Sequence, residues 1–136
     1  MSYAQWVSIT IISRGTRIGI KNATLAYGKF HQSGNKDAEI SIDETNKITI
    51  NIGESSVINS CGREDSPSGT EGRFDIFDID KQVKIGEYYW DCPWGSKTNT
   101  SIWTPSPSED YVTQVVGGNL DSGALGNVTI KCVKIS

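Results

Sequence analysis

Residues 88 to 100 (Tyr88-Tyr89-Trp90-Asp91-Cys92-Pro93-Trp94-Gly95-Ser96-Lys97-Thr98-Asn99-Thr100) bring together residue types that suit one kind of chemistry. Aromatic faces attract an organic cation with about 0.5–2 kcal/mol per ring. A carboxylate strengthens that attraction, while a lysine and hydroxyls can hold a phosphate. Tyr89, Asp91, Trp94, Ser96 and Lys97 therefore offer partners for both halves of a zwitterionic phosphocholine or phosphoethanolamine group. The segment also reads as strand, then turn. Aromatics suit a pleated surface up to Trp90, Pro93 ends regular pairing, and Gly95 permits a tight turn just after Trp94. The expectation is that Trp90 is core and Trp94 stands at a turn tip. An indole at a tip either folds back onto the core or meets a ligand or membrane interface, where an amphipathic ring is stable.

Other chemistry finds less support. Cys92 and His31 could act as nucleophile and base, but nothing in the sequence brings them together, and a strand cysteine is more commonly a core residue. Asp91 beside Trp90 fits a structural hydrogen-bond acceptor better than a general base. No phosphate-binding glycine loop is present. The chain is read as a binding protein, not an enzyme. His31 is the one histidine, and Cys61, Cys92 and Cys132 are scattered, odd in number and without a CxxC pair. Neither a metal site nor a disulfide framework follows, and no cofactor is expected. The default for the cysteines is buried, reduced thiols.

The elements that must position these groups are strands. Ile, Val and Thr far outnumber Leu and Met, which favours sheet over helix. Val7, Ile9 and Ile11 alternate with Ser8 and Thr10; Arg14-Gly15-Thr16 reads as a turn, and Ile18 to Tyr27 as a second strand in a hairpin with the first. Gly28 to Asp37 reads as a loop with Ser33-Gly34-Asn35 at its tip. Ile40 and Ile42 suggest a short strand, and Ile48, Ile50 and Ile52 give the cleanest alternation in the chain. Gly53-Glu54 turns towards Val57 and Ile58. Ser60 to Gly72 reads as a long polar loop, of a length that is often functional inside a compact domain. Further strands are expected at Phe74 to Ile79, from Val83 into the aromatic segment, at Tyr111 to Val116, and at Val128 to Cys132. Thr104 to Ser108 and Gly117 to Gly126 read as connections. Many short strands at regular spacing imply an all-β antiparallel sandwich.

At 136 residues the chain is expected to be one domain, residues 1–136, large enough to bury a core without staples. A net charge of −3, with no basic patch, excludes nucleic acid as a partner and disfavours adhesion to anionic lipid. Membrane binding would have to rest on shape and aromatics. No conventional signal peptide or membrane-spanning helix is evident, so synthesis in the cytoplasm and export by an unconventional route are expected.

The segment WDCPWGSKTNT resembles the signature of the aegerolysins, small acidic lipid-binding proteins of fungi and bacteria. Tyr3-Ala4-Gln5-Trp6-Val7, Gly34 to Glu39, Ser60-Cys61-Gly62-Arg63 and Asn119 to Gly126 keep the family's order over nearly the whole chain. The resemblance implies a β-sandwich similar to that of actinoporin-like cytolysins. It lacks their amphipathic N-terminal helix, since this N-terminus reads as a core strand. The resemblance also implies recognition of sphingolipid head groups, notably ceramide phosphoethanolamine and, in some members, sphingomyelin with cholesterol. It further implies a role as the docking half of a two-part cytolysin with a perforin-like partner. Trp6 and Tyr27 belong to the family's site pattern, Tyr27 standing where several relatives carry Trp; Arg63 and Asp65 match the family loop and read as a local ion pair. The free protein is expected to be a monomer or weak dimer. From the residues alone a lectin-like carbohydrate-binding module stays open, because exposed tryptophans on a sandwich also stack on sugars.

Overall fold

The computed structural model describes residues 2–64 and 67–135. It is a two-sheet β-sandwich with one short α-helix. In chain order the elements are β1 (Trp6–Arg14), β2 (Ile18–Tyr27), β3 (Lys29–Gln32), β4 (Asn35–Ile40), α1 (Ile42–Thr45), β5 (Thr49–Ile50) and β6 (Ser55–Cys61). They continue with β7 (Thr70–Asp78), β8 (Val83–Cys92), β9 (Thr100–Pro105), β10 (Tyr111–Gly117) and β11 (Gly126–Lys134). One sheet has the order β10-β11-β1-β6-β3-β4 and the other β5-β2-β7-β8-β9.

Period-2 patterning accounts for the strands themselves. β1 buries Val7, Ile9 and Ile11, and β11 buries Val128, Ile130 and Cys132. From the opposite sheet come Ile18, Ile20, Phe74, Ile76, Tyr88 and Trp90. Trp90 is the largest of these and has no solvent exposure. Its ring lies 6.0 Å from both Phe30 and Phe74 and 6.1 Å from Tyr88, and its Nε1 donates to Thr70 Oγ1 at 3.0 Å. The buried indole thus meets aromatic partners from both sheets and satisfies its one donor. The three cysteines are free and buried, as expected from their spacing.

Several expectations are corrected. β1 and β2 do not form a hairpin: β1 pairs with β6 and, in parallel, with β11, while β2 pairs with β5 and β7 in the other sheet. Both edges of β1 are occupied, so the turn at Arg14-Gly15-Thr16 carries the chain across the sandwich. Alternation reports which face is buried, not which sheet a strand joins. The parallel β1–β11 pair is likewise an exception to the antiparallel scheme. Residues 28–37 are not a loop but the β3–β4 hairpin, with β3 zipped onto β6. Gly28, at φ +89°, turns the chain from one sheet to the other; a Cβ there would lie 2.5 Å from the Cys61 carbonyl oxygen.

Ile40 ends β4, but Ile42 opens α1. The signal for that helix is Ser41-x-x-Glu44, a capping box in which Ser41 Oγ accepts from Glu44 N at 3.0 Å and Glu44 Oε1 accepts from Ser41 N at 3.3 Å. Of Ile48, Ile50 and Ile52, only Ile50 sits in a strand, the two-residue β5, and Ile52 is exposed. Ile79 lies just beyond β7. The polar loop is shorter than expected, spanning 62–69, because strand pairing extends through Cys61 and resumes at Thr70. β9 was not legible as a strand; it holds Thr104 and Pro105, with proline at the end of an edge strand where no ladder donor is lost.

Asp78 is a fully buried carboxylate that closes one end of the sandwich. Tyr111 Oη donates to its Oδ2 at 2.6 Å, the backbone N–H groups of Asp80 and Lys81 donate to its Oδ1 at 3.0 and 3.2 Å, and Lys134 Nζ lies 3.7 Å away. Burial alone would raise its pKa, but these donors together with Thr16 outweigh it and hold the carboxyl below its usual range. Its stabilising contribution is therefore present above the unfolded pKa near 3.8 and is lost as pH falls through the lower folded value. Thermal melts from neutral to acid pH are expected to show a decline below pH ~4 that is smaller in Asp78→Asn. Trp90→Ala is expected to cost about 3–5 kcal/mol in denaturant titrations, as for other buried aromatic truncations.

Candidate lipid head-group site

Strand register assembles the site. Tyr27 of β2 is paired with Glu71 of β7, and Glu71 with Asp91 of β8. In β8 the alternation buries Tyr88, Trp90 and Cys92 and turns Tyr89 and Asp91 outward. An aromatic ring and two carboxylates therefore lie in one lateral row at the outer end of the five-stranded sheet.

Beyond Cys92 the chain leaves the sheet and loops over this row. Trp94 is 45 % exposed, and Ser96 and Lys97 are exposed beside it. Gly95, at φ +92°, makes the turn. The base of the loop is fixed by Asn99, whose Nδ2 donates to the carbonyls of Asn119 at 2.8 Å and Gly123 at 3.0 Å. Its backbone N–H donates to Asp121 O at 3.1 Å. On the other side, Gly69 lets the 62–69 connection press against the end of β8; a Cβ there would fall 1.8 Å from the Cys92 carbonyl oxygen.

Between these walls lies a cleft of about 1130 Å³, lined by Tyr27, Pro67, Ser68, Glu71, Asp91, Trp94, Ser96, Lys97 and neighbouring backbone. Five residues singled out in the sequence thus line one cleft: Tyr27, Asp91, Trp94, Ser96 and Lys97. Tyr89, two residues before Asp91 on the same face of β8, reaches the site through its hydroxyl, which donates to Glu71 Oε2. Trp6 does not join them. Its indole lies on the other sheet, in a second cleft, with Lys36 Nζ 5.5 Å from the ring centroid. Glu71 is not singled out by the sequence pattern; outward alternation along β7 marks it as accessible, but only the register places it opposite Asp91.

The electrostatics are those of a cation-attracting floor with a basic rim. Asp91 is raised above the usual carboxylate range, first by burial and then by the neighbouring Glu71 charge, with Lys97 opposing. Tyr89 is held well above its ordinary pKa, chiefly because its proton is bound to Glu71. Among the described residues Lys97 makes no ion pair, so its ammonium stands available at the rim. The candidate nucleophile–base pair is not assembled: His31 lines the second cleft, while Cys92 is buried, donates to Gly123 O and has its thiol pushed up by desolvation. Arg63 reaches Glu39 of β4 in a two-pronged pair at 3.1 Å, and Asp65 lies outside the described residues.

The aegerolysin family profile matches residues 4–135. The chain belongs to the aegerolysin family. Membership makes it an aegerolysin-type, haemolysin-related lipid-binding protein and not an enzyme. It is 47 % identical to Ostreolysin A6 of Pleurotus ostreatus, over 98 % of each chain, and 40 % identical to Asp-hemolysin of Aspergillus fumigatus, over 96 % of this chain and 93 % of that one. In structure it is similar to IP-1A from Alcaligenes faecalis, with a TM-score of 0.92, 44 % identity and coverage of 99 % and 94 % of the two chains. RahU protein, solved with a Tris molecule, gives 0.91 at 40 % identity and 99 % and 98 % coverage. The lipid binding protein Nakanori, at 12 % identity and a TM-score of 0.63, covering 96 % of this chain and 72 % of that one, shares the fold.

Because this aegerolysin's Trp94 packs at a tip and Trp90 in the core, the two indoles are expected to separate in mutagenesis. Trp94→Ala should change the unfolding free energy by only about 0.5 kcal/mol, the range of surface substitutions. A larger loss, comparable with a buried indole, would mean that Trp94 serves the core.

Proposed function

We propose that the protein docks on sphingolipid membranes by taking a phosphoethanolamine head group into the cleft beneath Trp94. The observation that carries this reading is the pairing of Glu71 with Asp91 on the cleft floor, with Lys97 on its rim and the Tyr27 and Trp94 rings at its mouth. A primary ammonium can donate hydrogen bonds to both carboxylates, whereas a trimethylammonium offers no such donor. Lys97 and Ser96 are suited to the phosphate. The exposed rings are amphipathic groups of the kind that rest at a membrane interface. Ceramide phosphoethanolamine in a cholesterol-containing bilayer is therefore the favoured ligand, ahead of sphingomyelin with cholesterol. The haemolysin named among the relatives supports a role in membrane damage. In this reading the chain is the docking component, and a perforin-like partner supplies the pore; no helix among the described residues is long and apolar enough to cross a membrane.

Vesicle co-sedimentation tests this directly. Vesicles of ceramide phosphoethanolamine and cholesterol are expected to capture the protein, and phosphatidylcholine vesicles not to. Trp94→Ala should abolish capture, and Glu71→Gln should weaken it by about tenfold, the loss of one charge-assisted contact of about 1.5 kcal/mol. Dye release at saturating bound protein should require the partner. Equal capture by all zwitterionic vesicles would remove the head-group assignment, and rapid release by the single chain would remove the docking role.

A further inference from the structure

The second cleft, of about 550 Å³, lies on the outer face of the six-stranded sheet and is also built by register. Asn127 of β11 pairs with Ser8 of β1, Ser8 with Asn59 of β6, and Asn59 with His31 of β3. These four polar residues form a row across four strands, and all four line the cleft. Tyr3, Trp6 and the β3–β4 turn wall it, so that His31 is only 6 % and Asn59 8 % exposed despite lying on an outer face. Its volume falls within the roughly 300–1,000 Å³ of small-molecule sites.

The hydrogen bonds define what the cleft lacks. Ser8 Oγ donates to Asn59 Oδ1 at 2.7 Å, and Asn59 Nδ2 donates to Ser33 Oγ at 2.9 Å. His31 Nδ1 lies 2.8 Å from the Gln32 carbonyl oxygen, which can only accept, so Nδ1 carries the proton. In the neutral ring Nε2 is then an acceptor, and this buried atom has no donor among the described residues. Lys29 and Lys36 are near enough to act with burial in holding His31 below its ordinary pKa, which preserves the neutral ring. Those two cations disfavour an ammonium as the missing donor. A fully deprotonated anion has no proton to give, and a neutral hydroxyl can donate to Nε2 without adding charge beside the two lysines. Around it stand further groups suited to hydroxyls: the Asp37 carboxylate, which accepts from Tyr3 at 2.9 Å, the amides of Asn35 and Asn127, and a half-buried indole.

We propose that this cleft binds a neutral polyhydroxylated ring such as a hexopyranose, with a ring hydroxyl donating to His31 Nε2 and the Trp6 indole forming an apolar wall. The site is separate from the Trp94 cleft: no residue lines both. Protonation of His31 would turn the Nε2 acceptor into a donor and remove the hydroxyl's hydrogen bond to it, so affinity should decrease as pH is lowered and be retained at neutral pH. The charged or titratable groups facing the ring are Lys29, on its own strand, Lys36 and Glu39 of β4, Asp37, and Tyr3.

The test is an amide and indole NMR titration of the full chain with methyl glucoside, galactoside and mannoside, run beside capture by glucosylceramide vesicles. At least one glycoside or the vesicles should perturb the Trp6 indole and the Asn59 and Asn127 side-chain amides. His31→Phe, which keeps a ring but removes the acceptor, should weaken binding at least tenfold, and Trp94→Ala should retain it. If His31→Phe does not fold, the exposed Asn127→Ala decides, with a several-fold loss expected. Response to the free glycosides identifies a soluble sugar, and capture of vesicles alone a glycolipid; either supports the site. No response to any of them, full affinity in the His31 or Asn127 variant, or loss in Trp94→Ala would overturn it.

Discussion

The antiparallel register between β7 and β8 is the constraint on which the rest of the molecule depends. It sets Gly72 opposite Trp90 and Glu71 opposite Asp91. The first pair faces inward and gives Trp90 room in the core; the second faces outward and makes the floor of the cleft. A slip of one residue would exchange the two faces, placing a carboxylate in the core and the indole in water. Core and site are therefore held by the same backbone hydrogen bonds. Thr70, which accepts from the Trp90 indole, also stands where the 62–69 connection enters β7.

The two clefts follow one building rule. Each is a lateral row of outward side chains near the end of a sheet, walled by turns that raise those residues out of bulk solvent. Tyr27, Glu71 and Asp91 make one row; Asn127, Ser8, Asn59 and His31 make the other. Their chemistry differs. The first sets carboxylates beneath exposed rings and beside a lysine, which suits a zwitterion. The second is dominated by neutral amides, a hydroxyl and an imidazole acceptor, with two lysines opposing further positive charge. Partial burial matters in both, because hydrogen bonds shielded from water discriminate better between donors and acceptors.

The sandwich closes its ends by polar means. Asp78 gathers Tyr111, two backbone donors and Lys134 at one end, where β2, β7, β10 and β11 terminate or begin. Near the cleft, Asn99 ties the Trp94 loop to the 118–125 connection. That tie gives the Asn119 to Gly126 segment a structural role at the site, since it holds the loop that presents Trp94 and Lys97.

By itself the sequence determined the strand content, the buried face of the longer strands, the buried thiols, and the division of labour between Trp90 and Trp94. These rest on local alternation and on the Pro93 and Gly95 breaks, which the chain carries in consecutive residues. It also carried the family signature and most of the first cleft, because Asp91, Trp94, Ser96 and Lys97 lie within seven residues of one another. Tertiary structure decided what depends on pairing between distant segments: the assignment of β1 and β2 to different sheets, the parallel β1–β11 pair, the β3–β4 hairpin, and Glu71 as the partner of Asp91. It also parted Trp6 from the other site residues and set it beside His31 in a cleft of its own. Period-2 patterning specifies which side of a strand is buried, but not the strand's neighbours. Neighbours are fixed by how the strands pair and how the two inner faces pack over one shared core.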